Sequence, residues 1–432
     1  MQGKEKVAVF WYRRDLRLLD NHGLYKAISS GLPVVPIFIF DSNILDELPK
    51  NDARLTLIYK ALENIHKNLK RKGSGLVCKK GTPIEVWKEL VTTYNITKVF
   101  CNEDYEPYAL QRDKKVEELL KTHNITFHQF KDQVVFAKND ILKNDGTPYT
   151  VYTPFKNKWL AHLTEDDTRE YTSYQIEKFQ KFECDFPSIA SIGFEFSSID
   201  IKPFHLNDLT NYDADRNFPA RDNTTYLSPY LRFGMVSIRH LVKTNRQHQT
   251  FINELIWREF FMQILFHFPN VIHQNFRRKY DGIQWRNNTE EFERWKQGTT
   301  GYPMVDAGMR ELNATGYMHN RVRMVVASFL CKHLLIDWRW GEAYFAEKLL
   351  DFELASNNGN WQWAAGTGCD AAPYFRVFNP TEQIKKFDKE LRYINKWIPE
   401  LNSLNYPQPI VEHKFARERA LKSYKAGIES SI

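Results

Sequence analysis

The sequence predicts a parallel α/β domain followed by an all-helical domain. Short apolar runs separated by amphipathic segments fill its first part, and long helical patterns dominate its second. The chain has 432 residues, more than one hydrophobic core usually supports, so two domains are expected. We place the α/β domain at residues 1–130, an interdomain connection at 131–206 and the helical domain at 207–432.

Four apolar runs predict the strands of the first domain. Their alternation with amphipathic segments is typical of buried parallel strands joined by helices. The runs are VAVFWY (7–12), VVPIFIF (34–40), GLVCKK (75–80) and KVFCNE (98–103). No GxGxxG follows the first run, so the usual dinucleotide fingerprint is missing and any nucleotide cofactor must bind elsewhere or differently.

Three segments predict helices in the second domain. Residues 251–268 (FINELIWREFFMQILFHF) are apolar almost all round, which indicates a buried helix. Pro303 opens a second helix that stops near Gly316, and MHNRVRMVVASFLCKHLLI continues as a third. The connection at 131–206 mixes polar and aromatic residues without a clear period, so we expect it to pack on the surface.

Composition narrows the classes of function. With 42% hydrophobic and 26% charged residues, the chain is an ordinary globular protein rather than a disordered one. Its net charge of +7 permits a polyanionic partner without establishing one. The aromatic content of 14% fits large cores, a cofactor pocket or a surface on which bases stack.

Cysteine usage and hydropathy indicate where the protein works. The five cysteines form no CxxC pair and no even framework, which argues against a metal site and a disulfide scaffold and fits a reducing cytoplasm. The N-terminal apolar run is too short for a signal peptide, and no later window approaches a membrane span. We therefore expect a cytoplasmic protein with no membrane partner.

One helix face concentrates polar and aromatic side chains. Glu254, Trp257, Arg258 and Phe261 are three or four residues apart and therefore share a face of the helix predicted at 251–268. Buried charge needs a partner, so this face is either a Glu254–Arg258 pair inside a core or a ligand pocket.

The third predicted helix repeats this arrangement. Asn320 and Met324 lie on one face, flanked by Arg321 and Arg323. His319 has no second histidine or cysteine at ligand spacing, so we interpret it as structural.

Hydroxyl groups precede a further helix start. Thr224, Thr225 and Ser228 lie in NTTYLSPYLRFG, where Ser228 can cap a helix that has Pro229 at its first position. Hydroxyls and amides at a helix N-terminus suit a phosphate, although capping alone explains Ser228.

The stretch NNGNWQWAAGTGCD (357–370) combines tryptophans, asparagines and glycines. Core packing is the ordinary explanation for its tryptophans and for those of DWRW (337–340). Glycines at 359, 366 and 368 would let the backbone approach a flat ligand, and Asn357 offers both a donor and an acceptor.

Seven segments in order resemble the photolyase and cryptochrome family. Together they cover nearly the whole chain, down to IVEHKFARERALKSYK (410–425). The matching segments are WYRRDLRLLDN (11–21), RNFPARDNTTYLSPYLRFGMVSIR (216–239), NELIWREFF (253–261), TGYPMVDAGMREL (300–312), MHNRVRM (318–324), LLIDWRWGE (334–342) and NNGNWQWAAGTGCDAAPYFRVFNP (357–380).

The resemblance implies a Rossmann-like α/β antenna domain with a parallel sheet and an all-α C-terminal domain that binds FAD. Matching positions assign Arg323 and Asp351 to an ion pair across the flavin ring and Asn357 to its N5 edge. An amide oxygen there can accept a hydrogen bond from the N5 proton of a reduced flavin. Further cofactor-binding positions implied by the resemblance are Tyr212, Thr224, Thr225, Tyr226, Leu227, Ser228 and Glu353.

The resemblance also implies roles in electron transfer and DNA binding. Trp361, Trp338 and Trp285 match a chain that passes electrons from the surface to the flavin. Trp257 and Trp363 match residues that contact a flipped lesion, as base-flipping enzymes require. The positions implied to track DNA phosphates are Arg216, Arg258 and Arg321, aided by FRRKY (276–280).

Two positions indicate which member the chain resembles. Photolyases for the six-four photoproduct carry two histidines where this sequence has Asn320 and Met324, so the resemblance is to class I photolyases for cyclobutane pyrimidine dimers. Glu254 would then hydrogen-bond the carbonyl region of the lesion and stabilise the reduced dimer. The positions implied to be catalytic are Glu254, Asn357, Asn320 and Met324, and both Glu254 and Asn320 would contact the lesion.

The expected function is light-driven repair of pyrimidine dimers in UV-damaged DNA by electron transfer from photoexcited reduced FAD, carried out by a monomer. The alternatives are a blue-light photoreceptor of the cryptochrome type without repair activity, and a dark flavoprotein or DNA-binding module. Tyr226, Tyr317 and Asn360 depart from residues seen in some relatives.

A second, antenna chromophore is expected to be possible, without a fixed identity. The segment YEPYALQRD (105–113) lacks the asparagine and glutamate pair of folate-binding relatives, which puts folate in doubt. Folate, deazaflavin, a second flavin or no antenna all stay open.

Overall fold

The computed structural model describes residues 4–206 and 209–430, and the chain divides into two compact units. The first unit comprises residues 1–141, 158–204 and 227–247, and the second comprises 142–157, 205–226 and 248–432. Because the units are interleaved along the chain, the expected domain boundaries near residues 130 and 206 stay a prediction.

A five-stranded parallel sheet organises the first unit, in the order β3-β2-β1-β4-β5. The four predicted strands are present, and a fifth was missed because TFHQF has no continuous apolar run. The strands are β1 (Lys6–Tyr12), β2 (Val34–Asp41), β3 (Val77–Gly81), β4 (Asn95–Asn102) and β5 (Thr126–Phe130).

Eighteen α-helices occur in the described part of the chain, numbered in chain order. The first five accompany the sheet: α1 (His22–Ile28), α2 (Ser42–Leu45), α3 (Ala53–Lys70), α4 (Pro83–Thr93) and α5 (Pro107–Thr122). The next four are α6 (Tyr152–His162), α7 (Tyr212–Asp215), α8 (Ser228–Arg232) and α9 (Ile238–Thr244). The remainder are α10 (Gln249–His267), α11 (Thr289–Gln297), α12 (Pro303–Thr315), α13 (Asn320–Ser328), α14 (Trp338–Lys348), α15 (Leu354–Ala365), α16 (Pro380–Phe387), α17 (Arg392–Trp397) and α18 (His413–Glu429).

The central strand β1 is buried on both faces of the sheet. Its side chains alternate, so that Val9 and Trp11 enter one hydrophobic core while Phe10 and Tyr12 enter the other. A strand covered on both faces reads as a continuous apolar run, which is why VAVFWY was recognisable. The sheet and the helical second unit confirm the predicted fold class.

The helical unit follows the predicted start and stop signals with one displacement. Helix α12 begins at Pro303 and ends before Gly316, whose φ of +69° lies in the left-handed region. Helix α13 ends at Ser328 and continues as a π-helical turn over Phe329–His333. Helix α8 begins at Ser228 itself with Leu227 at the cap position, so the predicted Ser228 cap is one residue out.

The described residues offer no candidate for a membrane-spanning helix, a metal site or a disulfide. No helix in residues 4–206 or 209–430 is long and apolar enough to cross a membrane. The same residues bring together no group of three histidine, cysteine, aspartate or glutamate side chains that could hold a metal ion. All five cysteines are free thiols.

Candidate functional site

Helix α10 of the second unit leaves one stripe of its surface accessible. Asn253, Glu254, Trp257 and Arg258 are half-buried, whereas the residues around them are buried. Their spacing places them on one face of the helix, as the sequence indicated. Phe261, expected on the same face, is buried and continues this face into the core.

Both charges on this stripe are bonded to other segments of the second unit. Arg216 donates to Glu254 at 2.6 Å, and the two side chains keep 21% and 34% of their surface exposed. Arg258 donates to Glu353 at 3.3 Å, where both side chains are largely buried. Each of the two charges is therefore paired with a residue of another segment, whereas the sequence alone had also allowed a Glu254–Arg258 pair within the helix.

Helix α13 is bonded to the segments that carry Arg216 and Glu353. Arg321 donates to the amide oxygen of Asn217 at 2.6 Å, next to Arg216 in the chain. Arg323 and Asp351 form an ion pair at 2.9 Å, two residues before Glu353. These contacts make a closed circuit that links α10, α13 and the start of α15. We call it the polar circuit, defined by Arg216, Asn217, Glu254, Arg258, Arg321, Arg323, Asp351 and Glu353.

Asn357 on α15 is held by a residue to which sequence reasoning assigned no role. Its side-chain Nδ2 donates to the backbone oxygen of Glu342 at 3.0 Å and to the Glu342 carboxyl at 2.9 Å. Burial raises the pKa of Glu342, against the opposing effect of this hydrogen bond. The amide oxygen of Asn357 accepts no hydrogen bond from any residue that the structure describes. A buried amide so oriented fits a ligand that donates an N–H, as a reduced flavin does at N5.

Helix α15 separates its two tryptophans. Trp361 is buried in the core, while Trp363 is half-buried on the face that Ser356 and Asn360 share. A residue step of two turns the helix by about 200°, so adjacent tryptophans in the pattern W-x-W point to different sides. This geometry agrees with the different roles that the resemblance implied for them.

The three tryptophans of the expected electron chain belong to one hydrophobic core or pack against it. A Cβ added to Gly341 would lie 2.1 Å from the Trp361 ring, so Trp361 fits only because α14 has a glycine there. Trp338 is fully buried one turn earlier on α14 and donates to Asn275 at 2.9 Å. The half-buried Trp285 precedes Arg286, whose N–H donates to the carbonyl of Leu335 at 2.8 Å. Trp338 is therefore one helical turn from Gly341, which contacts Trp361. It also follows Leu335, whose carbonyl is bonded to the residue after Trp285.

Two further residues of this region were missed. Trp295 is fully buried and lies 6.2 Å from Trp361 between ring centroids. Gln362 donates to the carbonyl of Val271 at 3.0 Å and accepts from the N–H of Phe276 at 2.9 Å, which fastens α15 to its neighbours. The sequence offered no signal for the Trp295–Trp361 contact or for the hydrogen bonds of Gln362, because both depend on which segments pack together.

The glycines of 357–370 serve the fold itself. A Cβ on Gly359 would lie 2.1 Å from the ring of Phe261, so this glycine allows α10 and α15 to pack closely. Gly366 has a φ of +92° and ends α15. Gly359 and Gly366 therefore serve helix packing and helix termination, and the expected close approach of this backbone to a flat ligand stays a prediction.

The residues expected near the flavin phosphates are divided between the two units. Leu227 and Ser228 belong to the first unit, whereas Tyr212, Thr224, Thr225 and Tyr226 belong to the second. Burial raises the pKa of the half-buried Tyr212 to about 12, with Glu254 acting in the same direction. The Tyr226 ring meets that of Tyr317 edge-on at 5.3 Å, so two departures from the relatives contact each other.

The start of α13 carries Asn320 and Met324, the residues expected from the resemblance to distinguish lesion classes. Asn320 is exposed at the first turn, and Met324 is half-buried one turn later. His319 caps the helix by accepting from the N–H of Arg321 at 3.2 Å, which is the structural role expected of it. Burial, with Arg321 and Arg323, lowers the pKa of His319 to about 4, so its ring is neutral at pH 7.

The carboxyl edge of the sheet in the first unit has a cavity of about 10 Å³. Such a volume has room for one water molecule. The lining residues are Arg13, Arg14, Asp15, Asn102, Glu103, Asp104, Asp132 and Gln133.

Comparison with known proteins agrees with this geometry. A family model described as DNA photolyase matches residues 8–173, and one described as the FAD binding domain of DNA photolyase matches residues 251–405. The second match contains α10, α13, α14 and α15, which carry most of the candidate site.

Relatives match over the full length. The deoxyribodipyrimidine photo-lyase of Agrobacterium fabrum is 35% identical, with 99% of both chains covered. A bacterial class III photolyase from Agrobacterium tumefaciens has a TM-score of 0.87 at 33% identity over 99% of each chain. An archaeal photolyase from Sulfolobus tokodaii, solved with two FAD molecules, has a TM-score of 0.80 at 34% identity over 97% of this chain and 99% of that one. With matches of this extent in sequence and in structure, the chain belongs to the DNA photolyase family.

Proposed function

We propose that the protein repairs cyclobutane pyrimidine dimers in UV-damaged DNA in a light-driven reaction that uses FAD. Its full-length relatives are named for this activity, and its helical region matches the FAD-binding domain of photolyases. The observation that carries the proposal is Asn357, whose amide is oriented by Glu342 while its oxygen accepts no hydrogen bond from the described residues.

The donor and acceptor set of the second unit fits a flavin. Asn357 would accept from the N5 edge, and the Arg323–Asp351 pair would lie against the ring while adding no net charge. Reduced FAD, when bound, supplies the photoexcited electron for the reaction. The other residues expected to hold the cofactor are Tyr212, Thr224, Thr225, Tyr226, Leu227, Ser228 and Glu353.

The tryptophans Trp361, Trp338 and Trp285 would keep the cofactor reduced. Indole rings are readily oxidised, and rigid burial of Trp361 and Trp338 fixes their spacing. The half-buried Trp285 provides the end of this chain that is in contact with solvent.

Residues on the accessible face of α10 would hold the lesion. Glu254 is paired with Arg216, and a carboxylate can accept from the N–H that a pyrimidine presents between its carbonyl groups. That contact would hold the dimer in place and respond to the charge it gains. Trp257 and Trp363 would pack against the dimer rings, and Asn320 and Met324 would complete the contact from α13.

Arg216, Arg258 and Arg321 would bind the DNA backbone. Arg216 and Arg321 are joined through neighbouring residues of the polar circuit, and the exposed Arg376 lies near enough to affect Arg321 electrostatically. Burial, together with Arg216 and Arg376, lowers the pKa of Arg321, as expected where cations are gathered for an anion. Arg258 is bonded to Glu353, so a phosphate contact from it would compete with this pair.

Finer points of the function are also proposals. Asn320 and Met324 favour a class I enzyme for cyclobutane dimers, while a class III photolyase is among the similar structures. Free thiols favour a reducing cytoplasm, and we keep the monomer as the expected state. A second, antenna chromophore also stays a proposal without a fixed identity, and the similar photolyase from Sulfolobus tokodaii was solved with two FAD molecules.

A repair assay tests the proposed function. Purified protein is incubated with an oligonucleotide bearing a thymine dimer, under blue light and in darkness, and intact thymines are measured. We expect repair in light only. A cryptochrome-type receptor would retain the flavin colour and photoreduction but repair nothing, and a DNA-binding module would show neither colour nor repair.

The variants Glu254→Ala and Glu254→Gln refine the assay. Loss of a hydrogen bond to a charged group is worth about 1.5–3 kcal/mol, so Glu254→Ala should lower repair about 10- to 100-fold at unchanged FAD content. Glu254→Gln keeps an acceptor oxygen, so its repair activity should fall between that of the wild type and that of Glu254→Ala. If Glu254→Ala lost FAD instead, Glu254 would belong to the cofactor site.

A further inference from the structure

Tyr152, in a segment that the sequence suggested was only a surface connection, lies against the candidate lesion site. It is the first residue of α6 and belongs to the second unit. Its ring stacks on the Trp257 indole with centroids 3.6 Å apart and an angle of 7° between the planes. Contact this close and parallel leaves no room for a base on that face of the indole.

Two hydrogen bonds fix Tyr152 in this position. Its hydroxyl donates to the carbonyl of Asn253 at 2.8 Å, which ties the ring to α10 one turn before Trp257. Its backbone N–H donates to the carboxylate of Asp370 at 2.9 Å. A carboxylate is favoured at a helix N-terminus, so Asp370 also stabilises the start of α6.

These contacts connect the two segments that carry the candidate lesion tryptophans. Trp257 is reached through the ring stack, and Trp363 lies seven residues before Asp370 in the same loop and helix end. The other aromatic rings found near Trp257 among the described residues are those of Phe260 and Phe261, at 5.7 Å and 5.4 Å between centroids. Tyr152 is therefore the aromatic partner in closest contact with Trp257 in the described part of the chain.

We propose that Tyr152 is a positioning residue for lesion recognition, whose ring backs the Trp257 indole and fixes the surface that a flipped pyrimidine dimer contacts. The proposal rests on the proposed repair function. A base stacks most favourably on a rigid aromatic surface. Loss of the Tyr152 ring should therefore weaken the binding of damaged DNA more than the binding of undamaged DNA.

The test compares Tyr152→Ala with Tyr152→Phe, and with Tyr149→Ala as a matched control from the same segment. Tyr149 is half-buried and contacts Phe155 rather than Trp257. For each holoprotein, dissociation constants are measured for an oligonucleotide with a thymine dimer and for the same oligonucleotide without it. FAD content, melting temperature and repair at saturating substrate are measured in parallel.

We expect Tyr152→Ala to bind the dimer-containing oligonucleotide about tenfold more weakly, with binding of the undamaged one, FAD content and repair at saturation near those of the wild type. Tyr152→Phe keeps the ring and the backbone bond to Asp370, so it should stay within about twofold of the wild type. Tyr149→Ala should bind both oligonucleotides normally.

A double-mutant cycle with Trp257→Ala separates positioning from a general structural role. If Tyr152 acts through Trp257, Tyr152→Ala adds little further loss of dimer binding when Trp257 is already absent. Normal dimer binding by Tyr152→Ala, an equal loss for both oligonucleotides, or full additivity with Trp257→Ala would each overturn the proposal. A wild-type protein that neither prefers the dimer nor repairs it would instead refute the proposed function.

Discussion

Both units contain pairs of arginine and carboxylate, but the pairs differ in how far they are buried. At the carboxyl edge of the sheet, Arg17 and Arg239 both bond the buried carboxylate of Asp132, and Arg239 also bonds Asp20. These side chains expose at most 9% of their surface. In the polar circuit of the helical unit, the Arg258–Glu353 pair is largely buried, whereas Arg216, Glu254 and Arg323 keep between 21% and 34% of their side-chain surface exposed.

The difference shows how exposure decides what a charged cluster does. Burial alone would raise the pKa of Asp132, yet Arg17 and Arg239 hold it below its ordinary value, so that network is closed and structural. Partly exposed pairs are weaker and can exchange a protein partner for a ligand. The first cluster is therefore a scaffold, and the second is suited to binding.

The largest expected effect comes from opening the closed network. Arg239→Ala removes the guanidinium that Asp20 and Asp132 share, so the buried Asp20 loses its arginine and the buried Asp132 keeps only Arg17 as an arginine partner among the described residues. We expect a loss of about 3–5 kcal/mol in the free energy of unfolding, measured by denaturant titration.

Lys243→Ala is the matched control for Arg239→Ala. Lys243 lies one turn further on the same helix and is exposed, and its ion pair is with the exposed Glu170, so the expected change is within about 0.5 kcal/mol. Equal stability of Arg239→Ala and Lys243→Ala would mean that the buried network is not what holds this edge of the sheet.

In the helical unit, close packing is expected to matter more than charge. Gly341→Ala places a methyl group within 2.1 Å of the Trp361 ring and should destabilise the protein by about 1–3 kcal/mol. Displacement of Trp361 should also slow photoreduction of the bound flavin, followed by absorbance.

The double variant Gly341→Ala/Trp361→Phe provides the control. The smaller ring makes room for the methyl group, so stability should recover while photoreduction stays slow. If Gly341→Ala alone matched the wild type in both measurements, Trp361 would not depend on this contact.

A pH effect of similar size is expected from a buried histidine pair. His333 is fully buried, and its Nε2 lies 2.8 Å from Nδ1 of His413. Burial, with His413 and Arg419, lowers the pKa of His333 to about 3. Because the unfolded value is about 6.5, the stabilisation is present above that pH and is lost as the pH falls towards 3, by about 2 kcal/mol at pH 5.

The difference in unfolding free energy between pH 7 and pH 5 measures this effect. His333→Gln retains a hydrogen-bonding group that does not titrate, so its pH dependence should be smaller than that of the wild type. His123→Gln, at an exposed position, should leave the wild-type dependence intact. An unchanged slope in His333→Gln would show that His333 is not responsible.

The smallest expected effect concerns the orientation of Asn357. Glu342→Gln still offers an oxygen to the Asn357 amide and should change little, whereas Glu342→Ala removes one hydrogen bond worth about 1 kcal/mol. The rate at which reduced flavin reoxidises in the dark should rise only in Glu342→Ala. Equal rates in the two variants would mean that the backbone oxygen of Glu342 is sufficient to orient Asn357.

Local patterns were enough to predict elements that depend on neighbouring residues. Four strands, the start of α12 at Pro303 and its end at Gly316 follow from apolar runs and from terminating residues. Strand β5 was missed because an edge strand with few apolar residues has no comparable signal. The partners of Glu254 and Arg258 could not be foreseen, since each is bonded to a residue distant in the chain.

By itself, the sequence determined the order of the elements, the family and the residue types available for a flavin and a lesion. These follow from periodicity and from motifs, which are properties of a linear chain. Only the tertiary structure decided how those residues are used: Glu342 orients Asn357, Gly341 admits Trp361, and Tyr152 backs Trp257. Such choices depend on packing between segments far apart in the sequence, where a difference of one ångström decides whether two groups make contact.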